Sequence, residues 1–158
     1  MGSLSDGKQE AVQWVKEHFQ RGDTCLDVGA CNGVWYDLLG DYLKMDAVEI
    51  FKPYINKYKL KDKYNKVFNT NVCIFKYDYY DLIILGDVLE HMAVNAAQNV
   101  IEYAKQHCRN LLVSVPFGWE QGAIHKNPWE VHIQSDLTSE LFDERYPGFK
   151  PIYQIDNN

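Results

Sequence analysis

No run in the chain approaches the ~20 consecutive apolar residues that cross a bilayer, and the N-terminal stretch carries no apolar leader with a small-residue cleavage site. The expectation is a cytoplasmic protein that works without a membrane. There is no surplus of positive charge: 16 Lys and Arg face 22 Asp and Glu, for a net −6. That is the wrong overall sign for docking on phosphate backbones, so no nucleic-acid partner is expected. Cysteine is sparse as well. Cys25, Cys31, Cys73 and Cys108 form no CxxC pair and sit in no metal-type spacing with histidine. They read as reduced, mostly buried small hydrophobes. Linkers, internal repeats and low-complexity segments are also missing, so the 158 residues read as one domain spanning 1–158.

What is present is a globular composition, 46% apolar and 24% charged, with an aromatic share of 14% that suits a ring-lined core or pocket wall. Ala11, Val12, Val15 and Phe19 fall on one stripe of an amphipathic helix over residues 8–20. TCLDV (24–28) is a β-prone run that passes into GACNG and then into a helix carrying Val34, Trp35, Leu38, Leu39 and Tyr42. DAVEI (46–50) predicts a second strand, residues 53–64 a Lys- and Tyr-rich helix, and Val67 and Phe68 a weak third strand. DLIIL (81–85) is an unbroken apolar run of the kind found where both faces of a sheet are covered. A helix over 94–108 and a strand LLVSV (111–115) follow. Strands alternating with helices predict an α/β fold with a mostly parallel sheet and right-handed crossovers. Residues 116–134 break the pattern, with two Trp, two His, two Gly and two Pro; a loop this long in a small domain is usually functional. A last helix capped by Ser135 or Asp136 and a closing strand over KPIYQI (150–155) complete six principal strands.

The strand ending in Asp27 leads into Gly29, Ala30, Cys31, Asn32 and Gly33. Glycine at such a bend lets backbone approach a ligand closely, and the following helix turns free N–H groups toward it. Glu49 ends the next strand, 22 residues after Asp27. In a doubly wound sheet that position lies beside the bend, where a carboxylate can accept from both hydroxyls of a ribose. Bend and acid together point to a nucleoside.

LDVGACNG, VEIF and DLIILGDVLEHM, in this order and spacing, resemble the motifs of class I S-adenosylmethionine-dependent methyltransferases, and the last phrase resembles their small-molecule branch. The similarity spans about residues 13–155. It implies a three-layer Rossmann-like sandwich, S-adenosylmethionine as cofactor with S-adenosylhomocysteine as product, and a small-molecule acceptor methylated on oxygen or nitrogen, with a sugar or glycan precursor favoured. Position by position, it places Asp27, Gly29, Ala30, Cys31 and Gly33 around the methionine part, with Asp27 toward the ammonium. Cys31 stands where many members have glycine. Glu49 would hold the ribose, and Ile50 or Phe51 would pack on the adenine face. Asn71 and Val72 fall where an acid often accepts from the adenine amino group, and the amide oxygen of Asn71 can still accept. Gly86, Asp87 and Val88 would line the methionine and methyl end. Members of the family usually finish with an antiparallel hairpin, yet few residues follow KPIYQI. The sheet then lacks the last of the family's seven strands, or its edge is covered otherwise, for example by a second copy in a homo-oligomer.

Methyl transfer depends mainly on alignment, and a base is optional. The candidates near the methyl are His91, His125, Glu130 and His132. His125, Glu130 and His132 are also zinc-type donors, but no fourth donor is evident and no metal is expected. Trp119 and Trp129 suit stacking on an acceptor ring. A nicotinamide oxidoreductase is disfavoured by the absence of GxGxxG, and a non-catalytic nucleoside-binding protein is the other alternative. The lysines between residues 52 and 66 read as a solvated helix face, and the motifs of base-modifying methyltransferases are absent.

Overall fold

The computed structural model describes residues 6–155; the terminal residues 1–5 and 156–158 of the expected domain lie outside the described residues. Within it, α1 (Lys8–His18) precedes β1 (Thr24–Val28), α2 (Val34–Leu39) and β2 (Lys44–Val48). Then come α3 (Lys52–Lys57), α4 (Leu60–Lys63), β3 (Val67–Phe68), β4 (Tyr80–Gly86), α5 (Val94–Gln106), β5 (Cys108–Ser114) and α6 (Ser139–Arg145). The five strands form one open sheet in the order β3-β2-β1-β4-β5, with every pair parallel.

Side-chain alternation along the strands divides the core in two. Cys25, Met45, Ala47, Leu82 and Ile84 meet Ala11 and Val15 of α1, Leu39 of α2, and Ile55 and Leu60 of α3 and α4. Leu26, Val28, Val48, Ile83 and Leu85 meet Ala97, Val100, Ile101 and Ala104 of α5 on the other face. Both faces of β4 are therefore dry, which is why its sequence is apolar without interruption.

Several expectations need correction. The second strand begins and ends two residues earlier than DAVEI, leaving Glu49 just beyond its end. The helix over 53–64 is two helices, because Lys59 takes a left-handed φ of 52° between them. The last helix is capped by Thr138, whose hydroxyl accepts from the Leu141 N–H, rather than by Ser135 or Asp136. Most consequentially, residues 150–155 form no strand, so the described residues hold five strands where six were expected; the parallel sheet itself is as expected, every pair being parallel. Pro151 has no N–H to offer a ladder. Residues 148–155 instead line a groove of about 860 Å³ beside β5, with the Tyr153 ring against Gly7.

The chain order β1, β2, β3 runs outward in one direction and then returns to β4 on the far side of β1. The crevice at the carboxyl ends of β1 and β4 is thus a topological switch point, where open α/β sheets bind their ligands.

Candidate functional site

A cavity of about 330 Å³ opens at that switch point. Its floor is the turn after β1. Gly29 and Ala30 donate their N–H groups to the Val48 carbonyl at 2.8 and 3.2 Å, lashing the turn to the end of β2. Gly29 sits at φ 73°, and a Cβ there would lie 2.6 Å from a Val88 methyl carbon. Gly86 is as constrained: a Cβ on it would lie 2.2 Å from the indole nitrogen of buried Trp35. Backbone, not side chain, therefore faces the space between β1 and β4.

Glu49 is buried at the rim, and each of its oxygens accepts a backbone N–H at 2.8 Å, Oε2 from Cys31 and Oε1 from Phe51. Burial raises its pKa, and these two donors oppose that rise. Each oxygen keeps a lone pair for a ligand hydroxyl. The amide nitrogen of Asn69 ties the same corner down by donating to the Glu49 and Ile50 carbonyls at 2.8 and 3.1 Å. Asn71 Oδ1 accepts from the Cys73 N–H at 2.9 Å, so the oxygen expected to read adenine already closes a turn. Burial pushes the Cys31 thiol up to about 12, which removes it as a nucleophile.

Gly29, Ala30, Cys31, Glu49, Ile50, Asn71, Val72, Gly86, Asp87 and Val88 all line this cavity, as do His91, Glu130 and His132. Four other candidates do not. Asp27 alternates onto the α1 face of β1 and is fully buried beneath the turn, where its carboxylate accepts from the Tyr64 hydroxyl. Burial raises its pKa to about 7 despite that bond. Gly33 caps α2, and the Phe51 ring packs edge-on against Tyr54. His125 and Lys126, with φ of 51° and 60°, form the tip of a tight turn between Ile124 and Asn127. A primed turn holds its central residues outward, and His125 is exposed.

The opposite wall combines the short 3₁₀ turn Leu89–His91 with the loop 116–134. The Glu90 carbonyl accepts the N–H groups of Ile133 and Gln134 at 2.8 and 3.0 Å. Buried Gln134 donates to the Leu89 and Met92 carbonyls and accepts from Arg145 and the Tyr146 hydroxyl. This clamp puts His132 beside His91, with ring centroids 4.8 Å apart. Burial lowers the pKa of His91, opposed by its bond to the Val131 carbonyl. Trp35, Thr70, Glu90, Gln121 and Asn127 also line the cavity without having been assigned to it. Of these only Glu90 carried a signal, its place inside VLEH.

No protein-family model and no curated protein sequence matches the chain. Solved structures do. An S-adenosylmethionine-dependent methyltransferase from Clostridium acetobutylicum superposes with a TM-score of 0.59 at 13% identity, over 69% of this chain and 49% of that one. Magnesium protoporphyrin IX methyltransferase from Synechocystis, with S-adenosylmethionine bound, gives 0.57 at 16% identity, over 72% and 64%. A sugar N-methyltransferase from Streptoalloteichus gives 0.58 at 13% identity, over 76% and 51%. The chain thus spans 49 to 64% of the length of these neighbours. At such identities the likeness establishes the fold, the Rossmann-like sheet of the class I methyltransferases.

Proposed function

We propose that this chain is an S-adenosylmethionine-dependent methyltransferase acting on an oxygen or nitrogen of a small molecule, with a sugar or glycan precursor the favoured acceptor. The observation that carries the reading is Glu49: a buried carboxylate, both oxygens held by backbone donors, at the rim of a glycine-floored cavity at the switch point. Several solved neighbours with this fold hold S-adenosylmethionine or S-adenosylhomocysteine, and two are named as sugar or amino pentose methyltransferases.

The residues present fit that cofactor. Glu49 would accept from the ribose hydroxyls, Ile50 and Val72 would flank the base, and the backbone of Gly29, Ala30 and Gly86 would admit the amino-acid tail. When bound, the cofactor supplies an electrophilic methyl group on a sulfonium. The chain contributes alignment, exclusion of water by the loop 116–134, and proton acceptors at the acceptor end. Each of His91 and His132 has its Nδ1 against a backbone carbonyl. A carbonyl only accepts, so Nδ1 carries the hydrogen and the neutral ring keeps a basic lone pair on Nε2. Trp119 and Trp129 line the same end and are 41% and 51% exposed, which suits stacking on a sugar face.

Calorimetric titration with S-adenosylhomocysteine tests the reading. We expect binding, weakened about 10- to 100-fold by Glu49→Ala, the loss of charge-assisted hydrogen bonds worth about 1.5–3 kcal/mol. A chain that ignores the compound at millimolar excess is not a methyltransferase of this kind. Binding without transfer to a panel of amino sugars, sugars and phenols would leave a nucleoside-binding protein.

A further inference from the structure

Glu90 is the anomaly of the cavity wall. It is 1% exposed, and neither carboxylate oxygen accepts a hydrogen bond. A buried carboxylate normally finds donors, because leaving its oxygens bare costs several kcal/mol, on the order of a charge's desolvation. Two histidine rings lie close to it without bonding to it. His91 Nε2 lies 3.8 Å and His132 Nε2 4.0 Å from Glu90 Oε1, both beyond hydrogen-bond reach. Their tautomers are fixed from behind, since His91 Nδ1 donates to the Val131 carbonyl at 3.1 Å and His132 Nδ1 to the Trp119 carbonyl at 2.7 Å. Two imidazole nitrogens and a carboxyl group therefore converge on one point of the cavity wall without hydrogen-bonding to one another.

A cation would satisfy all three groups at once. Imidazoles whose far nitrogens donate to backbone carbonyls are the usual outer arrangement of histidine ligands, because it fixes ring orientation and tautomer together. The three ligand atoms lie within 4.8 Å of one another. Tetrahedral ligands at ~2.0–2.1 Å from a zinc ion stand about 3.4 Å apart, so side-chain adjustments of less than about 1 Å close the set. All three residues line the cavity, so a fourth coordination position would open onto it. Three protein ligands with one open position is the pattern of catalytic rather than structural zinc.

We propose that Glu90, His91 and His132 bind one divalent transition-metal ion of the zinc class at the acceptor end of the cavity. Binding needs only these side chains; the ion's purpose rests on the methyl-transfer reading above. There it would take an acceptor hydroxyl as its next ligand and acidify it, the proton passing to bulk water, and would orient the oxygen toward the donor. His91 and His132 would then act as ligands instead of bases. The set differs from His125, Glu130 and His132, because the turn at His125 holds that ring away and Glu130 accepts from Gln121 at 3.2 Å.

The test uses the chelator-stripped 158-residue chain without cofactor, titrated with Zn²⁺ by calorimetry and with Co²⁺ by visible absorption. One equivalent should bind, with the intense d–d bands of a low-symmetry cobalt site. Glu90→Gln, His91→Ala and His132→Ala should each weaken binding at least about tenfold. His18→Gln and Cys73→Ser, which alter an exposed histidine and the exposed thiol, should leave it unchanged. Glu90→Gln also guards against simple unfolding. Its amide can donate to a histidine Nε2, so the stripped variant should melt no lower than the stripped parent. Absence of stoichiometric binding, or binding that survives all three ligand variants, overturns the site. Zinc bound without S-adenosylhomocysteine affinity would sink the methyl-transfer reading alone, and the converse result would sink the metal site alone.

Discussion

The two walls of the cavity are built on different principles. The turn after β1 is held by backbone: Gly29 and Ala30 donate to Val48, Gly33 donates to Ala30, and the Glu49 carboxylate is gripped by main-chain N–H groups. It cannot shift without disturbing the ladder between β1 and β2. The loop 116–134 stands outside the sheet ladder and is held by a few long-range bonds, main-chain from Ile133 and Gln134 to the Glu90 carbonyl and side-chain from Gln134 to Leu89 and Met92 and from His132 to Trp119. Two of its apolar side chains, Val131 and Ile133, are exposed, Ile133 by 61%. One wall shares the stability of the sheet; the other hangs from a few contacts and belongs to the low-stability end of the molecule. Under the methyl-transfer proposal, this division would suit a constant cofactor and a variable acceptor.

The largest effect should come from beneath the rigid wall. Burial holds the Asp27 carboxyl protonated up to about 7, whereas the unfolded chain ionises it in the ordinary range near 3.8. Below that range neither state is charged and nothing is lost. As pH rises toward about 7 the unfolded state sheds the proton first, so stability falls by about 1.4 kcal/mol per pH unit, about 4 kcal/mol in all. Asp27→Asn should abolish that part of the slope, seen by comparing urea denaturation of the two proteins from pH 4 to pH 8. Parallel curves would mean that Asp27 ionises normally.

The flexible wall should break more cheaply. Gln134→Ala strips the Leu89 and Met92 carbonyls of their donor and should cost about 1–3 kcal/mol, with residues 116–134 opening to limited proteolysis before the sheet melts. Proteolysis that tracks global unfolding would merge the two walls into one cooperative unit. The smallest stability change, within about 0.5 kcal/mol, should follow Trp129→Ala at an exposed site. Under the stacking assignment the same change raises the acceptor KM with cofactor affinity intact, which steady-state kinetics and calorimetry would separate.

The rigid wall was legible in the sequence for a physical reason. TCLDV and DLIIL are buried by local pattern alone, and a glycine bend followed by an acid at the next strand end occupies places that parallel topology fixes. Asp27, expected toward the ammonium, is instead buried on the α1 face of β1 and does not line the cavity, a placement that depends on packing which composition does not reveal. The loop resisted because its form comes from partners distant in sequence. Gln134 reaches Leu89 across 45 positions, and His132 reaches Trp119 across 13. Glu90 went unassigned for the same reason, since its isolation depends on two histidines that a separate segment brings near. The closing strand failed at Pro151, whose missing donor was visible but outweighed by the apolar pattern of KPIYQI.

Trp35, Trp119 and Trp129, three of the chain's four tryptophans, border the same cavity. The protein therefore carries its own optical reporter. Any occupant displaces water from beside two partly exposed indoles and presses on a buried third, so intrinsic emission should register arrival and departure without a label. Replacing the indoles one at a time would tell which end of the chamber fills first.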